Sequence, residues 1–137
     1  MIPAVIDTNV LVSALMSHNP NSPTVRIHYA ILNKEIRVLY SPEIIAEYED
    51  VLFRDKFSFD RGKVDEIIDF IRLYGQDITP AEPDTEDFPD PDDKIFYCVA
   101  LATQDEDAVL VTGNAKHFPP APFIVSPADF IARIADI

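Results

Sequence analysis

Short apolar runs alternate with segments of helical period along this chain, and that alternation limits the folds open to it. Pro3-Ala4-Val5-Ile6 ends in Asp7 and predicts a buried strand. Behind it, Thr8 and Asn9 are helix-capping residue types, and Val10, Leu11, Ala14 and Leu15 recur at helical spacing. His18 to Pro23 is a turn-rich break, and a second helix is predicted from about Ser22 to Asn33. Ile36 to Tyr40 predicts the next strand. Ser41-Pro42 then starts a helix running to about Phe53, a cap residue followed by proline at the first helical position.

The second half continues the pattern. Arg54 to Lys63 mixes basic and aromatic residues around Gly62. A helix follows from about Val64 to Tyr74 and stops near Gly75, with Asp77-Ile78-Thr79 as a short strand. Pro80 to Asp93 is mostly proline and acid and reads as a loop. Asp90-Pro91-Asp92-Asp93 opens a helix reaching about Thr103. Ala108 to Thr112 is another apolar strand, ending at Gly113-Asn114. Phe123 to Val125 is the last, and Ser126-Pro127 caps a closing helix to Ile137. Strands alternating with helices imply parallel pairing and right-handed crossovers. The expected fold is α/β, a three-layer α/β/α sandwich with a mostly parallel central sheet, in one domain covering 1–137. Periodicity leaves the strand order open.

Charge narrows the function. Eleven Lys and Arg against 24 Asp and Glu leave a net charge of −13. Phosphate-backbone binding ordinarily runs on basic surface, so a general nucleic-acid coat is excluded. Either the chain avoids nucleic acid, which composition alone favours, or it meets phosphates through divalent cations held by its own carboxylates. No apolar run approaches a membrane span, and the first residues lack the basic and apolar regions of a signal peptide. The one cysteine, Cys98, permits no internal disulfide; it reads as core packing in a reducing compartment, with the cytoplasm expected.

Open parallel sheets bind ligands beyond the carboxyl ends of their strands. Asp7, Thr112-Gly113-Asn114 and the turn from Asp90 to Asp93 fall at such points. Glu47 borders the apolar stripe of its helix, beside Ile44, Tyr48 and Val51, where a carboxylate wants a partner. Each residue has a purely structural explanation too. Asp7 could cap the following helix, Asp90, Asp92 and Asp93 could serve a helix dipole, Glu47 could pair with Arg54, and Asn114 could be a turn residue. Gathered at one sheet edge, however, the carboxylates raise each other's pKa unless something positive lies between them. Mg²⁺ or Mn²⁺ is the natural counter-charge for an oxygen-only set. Zinc is disfavoured, because His18, His28 and His117 are scattered and Cys98 has no ligand partner at zinc-finger spacing. Phosphate-loop, dinucleotide and nucleophile-elbow glycine motifs are missing from the sequence.

The ordered blocks resemble the PIN-domain family. Asp7-Thr8-Asn9-Val10-Leu11-Val12-Ser13 is similar to the opening strand and turn of those domains. Ser41 to Glu47, with Val51-Leu52 and Lys56-Phe57 behind, resembles the segment bearing their second acidic residue. Asp90 to Phe96 with Ala100 is similar to the third acidic motif, and Leu110 to Asn114 with His117-Phe118 to the fourth. Within that family the blocks resemble the VapC-like toxins of type II toxin–antitoxin systems. The resemblance implies metal-dependent cleavage of RNA, dimerisation and inhibition by a partner antitoxin. Carried over by position, Asp7, Glu47 and Asp93 are the acidic metal-site residues, and Asp90 is an auxiliary ligand or cap. Thr112 and Asn114 would position water or a phosphate oxygen for in-line attack, leaving a 5′-phosphate and a 3′-hydroxyl. Asn114 departs from the aspartate of many active members and supplies no charge. Arg54, Lys56, Arg61 and Lys63, interleaved with Phe57 and Phe59, are candidate RNA contacts, against a solvated loop or a dimer contact as the alternative.

Two rivals come from other classes. A catalytically silent PIN-like protein acting by partner binding accommodates both Asn114 and the charge. A phosphorelay receiver domain needs a phospho-accepting aspartate on a middle strand and a lysine at a later strand end, and Val38 to Ser41 and Val111 to Gly113 offer neither.

Overall fold

Parallel strands sandwiched between helical layers must be apolar on both faces, and the central strands here are. In β1 (Ile2–Ile6) the last three residues are buried, and in β4 (Val109–Val111) all are. The computed structural model describes residues 1–135. Beside those two strands it contains β2 (Ile36–Tyr40), β3 (Gln76–Asp77) and β5 (Ile124–Val125). All five pair in parallel in the order β3-β2-β1-β4-β5. The chain therefore winds outward from β1 through β2 to β3, returns across the sheet, and winds the other way through β4 to β5. Asp7 and Thr112 lie just past the carboxyl ends of β1 and β4, where the winding reverses.

Six helices flank the sheet among the described residues, giving the three-layer α/β/α fold: α1 (Thr8–Met16), α2 (Pro23–Leu32), α3 (Pro42–Leu52), α4 (Arg61–Tyr74), α5 (Lys94–Leu101) and α6 (Pro127–Ala135). The crossover helix α5 lies on β1, β2 and β4, while α2 packs against both α1 and α6. Tyr48 of α3, Phe96 of α5 and Phe130 of α6 are the largest fully buried side chains. None of the described helices is long and apolar enough to cross a membrane.

Local chemistry sets most of the boundaries. Ser41 accepts from the Ile44 amide through its side chain and caps α3, with Pro42 at the first helical position. Asp60 accepts from the amides of Gly62 and Lys63, which starts α4 at Arg61 and not near Val64, as periodicity predicts. Arg61 and Lys63 are consequently helical. A Cβ at Gly75 would collide with the carbonyl oxygens of Ile71 and Val38, so only glycine lets α4 end directly against β2. The expected strand at 77–79 forms one residue earlier, at Gln76–Asp77. The helix expected to open at Asp90 begins as a single 3-10 turn, Pro91–Asp93, and becomes α-helical only at Lys94. The final two residues of the expected closing helix, 136–137, lie outside the described residues.

Candidate active site

Asp7 is the one buried acidic residue among the described residues. Its amide donates to the Val111 carbonyl at 3.0 Å, which holds the end of β1 to the end of β4. Thr112, buried at the tip of β4, donates from Oγ1 to Asp7 Oδ2 at 2.7 Å, and the Asn114 amide donates to the same Oγ1 at 3.0 Å. Asp7 stands at the N-cap of α1, but its closest side-chain hydrogen bond is to Thr112 and no regular capping hydrogen bond forms, so capping is at most a minor part of its role. Burial raises its pKa, opposed first by the Thr112 hydroxyl and less by the Thr8 and Asn9 amides and His117.

The other carboxylates arrive from separate elements. Glu47 is half-buried on α3, and its pKa is raised by burial, then by Asp92 and Asp50. Arg54, its expected partner in the structural alternative, pairs instead with Asp50 at 2.9 Å and only moderates Glu47 at longer range. Asp93 ends the 3-10 turn before α5; burial, then Asp7 and Asp90, and to a smaller extent Glu47, push its pKa up to about 6. Asp90 caps that turn, accepting from the Asp92 amide at 3.0 Å, and is exposed. Asp7, Glu47, Asp90 and Asp93 thus share one electrostatic field at the switch point of the sheet.

Sequence reasoning missed His117. It sits in a 3-10 turn, Ala115–His117, after β4, with Nδ1 3.7 Å from Asp93 Oδ2, and it lowers the pKa of both Asp7 and Asp93. The signal available was its spacing from Asn114, since a short turn returns the third residue to the strand end; read beside the other two histidines it looked isolated.

The basic set divides. Lys56 lies over the Phe57 ring at 5.0 Å and Arg61 over Phe53 at 4.6 Å, while Phe57 and Phe59 stack with centroids 5.1 Å apart. Arg54, Ser58, Phe59 and Arg61 line one cavity of about 310 Å³ at the carboxyl end of α3. Lys63 points elsewhere, lining a different cavity with His28, Tyr29 and Glu66.

Chemically, the carboxylates suit a hard divalent cation. They are oxygen donors that repel one another, and the one cationic candidate touching them is a half-exposed histidine. The Thr8 hydroxyl, next to Asp7, is buried without a hydrogen-bond partner, a second sign of a polar site awaiting a ligand. Among the described residues no three acidic, imidazole or thiol groups converge closely enough to hold an ion directly. Mg²⁺ keeps several of its waters, so carboxylates acting together at longer range are compatible with an ion bound largely through hydration. Such an arrangement can concentrate cationic charge and activated water over a phosphodiester.

A family model described as a PIN domain matches residues 3–116, a span that includes every residue discussed in this site except His117. No curated protein and no solved structure matches the chain.

Proposed function

The chain belongs to the PIN-domain family, a nuclease fold, and from that premise we propose that it is a divalent-metal-dependent endoribonuclease of the VapC-like toxin kind. The observation carrying the reading is the convergence on Asp93, raised to about 6 by burial, by Asp7 from the end of β1, by Asp90 from its own turn and by Glu47 from α3. A cluster of this sort is unfavourable without a cation and useful with one.

Asp7, Glu47 and Asp93 would hold Mg²⁺ or Mn²⁺, with Asp90 as an auxiliary. The bound cation supplies charge to offset the phosphate and lowers the pKa of the attacking water. Thr112 orients Asp7 and favours its ionised form against the effect of burial, and the Asn114 segment, tied to Thr112, flanks the scissile phosphate. Arg54, Lys56 and Arg61 contact the RNA backbone beyond the acidic centre, with unpaired bases against Phe57 and Phe59; Lys63 belongs to this set only if the strand reaches the neighbouring cavity. The toxin reading adds a homodimer in the cytoplasm and an antitoxin partner, for which a basic segment would complement the −13 surface.

The test is cleavage of a broad RNA panel by purified protein with Mn²⁺ or Mg²⁺ against EDTA, beside Asp7→Asn. Metal-dependent cleavage lost in the variant is the expected outcome. Folded protein that cuts nothing would favour the catalytically silent, partner-binding alternative, to which Asn114 already lends an observation. Asn114→Asp is then the variant that decides whether one missing charge is the reason.

A further inference from the structure

A shallow groove of about 240 Å³ opens beside Asp7, and its polar lining is neutral throughout: Asn9, Ser13, Thr24, Asn114 and the backbone of Gly113. We infer that this groove seats the ribose next to the scissile phosphate and selects RNA over DNA through the 2′-hydroxyl, an inference that rests on the ribonuclease reading above.

Position is the first argument. Asn114 reaches Asp7 through Thr112 in two hydrogen bonds, and Asn9 is two residues along from Asp7 on the first turn of α1. A sugar in the groove is therefore adjacent to a phosphate held over the carboxylates. Charge is the second. In a chain with 24 acidic residues, four of them sharing the neighbouring field, a lining without any carboxylate is where a polyanion can leave the site without repulsion. Asn114 extends that neutrality at the position where the family resemblance leads one to expect an acid.

Hydrogen-bonding capacity is the third. Ser13 Oγ and Thr24 Oγ1 lie 3.1 Å apart, as do Ser22 Oγ and Thr24 Oγ1, and either member of each pair can donate. Hydroxyls whose protons can rotate are able to donate to, and accept from, a ribose 2′-hydroxyl, the group by which proteins distinguish RNA from DNA. Gly113 is the fourth. Its φ is not in the left-handed region, and a Cβ there would meet nothing within 4 Å. Neither the turn nor packing requires glycine, and the open space around it leaves the backbone accessible to close approach by a ligand.

The experiment is fluorescence anisotropy with a labelled single-stranded oligoribonucleotide and its deoxyribose counterpart in Ca²⁺ buffer, on wild type, Gly113→Val, Ser13→Ala and Asn9→Ala. Wild type is expected to bind the RNA more tightly than the DNA. Gly113→Val should melt with wild type yet lose RNA affinity about tenfold or more, while Ser13→Ala and Asn9→Ala reduce the RNA preference about threefold to tenfold, the worth of one hydrogen bond. Equal affinity of wild type for both strands overturns the groove assignment. So does an unchanged preference in the alanine variants, which stand in should the valine variant fail to fold. Wild type that binds neither strand overturns this inference and weighs against the ribonuclease reading. Metal-dependent RNA cleavage with unaltered preference in the variants overturns the groove alone.

Discussion

The hydroxyl of Tyr48 donates to the carbonyl oxygen of Ile6 at 2.6 Å, and the chain neighbours of these two residues are Glu47 and Asp7. One buried hydrogen bond thus sets the helix bearing one candidate ligand against the strand bearing another. Tyr48 is wholly buried, and burial with the nearby Asp7 charge pushes its phenol pKa far up, so the hydroxyl stays protonated and available to donate.

Tyr48→Phe is expected to leave the Ile6 carbonyl without that partner and to cost about 1–3 kcal/mol, read by urea denaturation. The metal-dependent rise in melting temperature should shrink as α3 loosens against β1. A variant as stable as wild type would mean that solvent or another group satisfies Ile6.

Asp93 sets a pH dependence. Its folded pKa is about 6 against an ordinary 3.8, so between those values the folded protein binds more protons than the unfolded chain. The stability it contributes is complete below about 3.8 and lost as pH rises through about 6. In EDTA the protein should melt higher near pH 5 than near pH 7, and Asp93→Asn should flatten that slope. An unchanged slope in the variant would assign the effect to other groups.

Glu47→Gln should move stability and activity in opposite directions. Removing a charge that raises Asp93 relieves repulsion and raises the melting temperature in EDTA. Outer-shell changes at metal sites already cost about 10–100-fold in affinity or activity, so loss of a carboxylate proposed as a ligand should lower metal-dependent cleavage by about 100-fold or more. Activity kept at wild-type level would remove Glu47 from the site.

Lys56 and Arg61 rest on aromatic rings, outside any ion pair among the described residues. The pair of substitutions Lys56→Glu and Arg61→Glu is expected to weaken single-stranded RNA binding and make it less salt-dependent, since each phosphate contact adds to the counterion slope. An unaltered salt slope would return this segment to the structural alternative.

Much of this architecture was legible in the residues themselves. The Ser41-Pro42 start, the glycine stop at Gly75 and the apolar run into Asp7 are local signals, each decided within a few residues by capping, sterics or burial. Asp60 was legible in principle, as a cap residue type ahead of a helical stripe. The apolar period starts only at Val64, whereas two amides bound to one carboxylate oxygen begin the helix a turn earlier and outweigh the cost of Gly62 there. His117 was not legible alone, because its meaning depends on Asp93, which reaches it from another element.

Sequence alone determined most of the element types, the parallel α/β class and the place of Asp7 at a strand end, because periodicity and capping act over one or two turns of chain. Tertiary structure decided the strand order and hence the switch point between β1 and β4. It also decided that Arg54 turns to Asp50 and away from Glu47, and that Thr112 meets Asp7 across 105 residues. Coulombic coupling and a buried hydrogen bond depend on distance in space, and only the closed sheet brings those residues within range of one another.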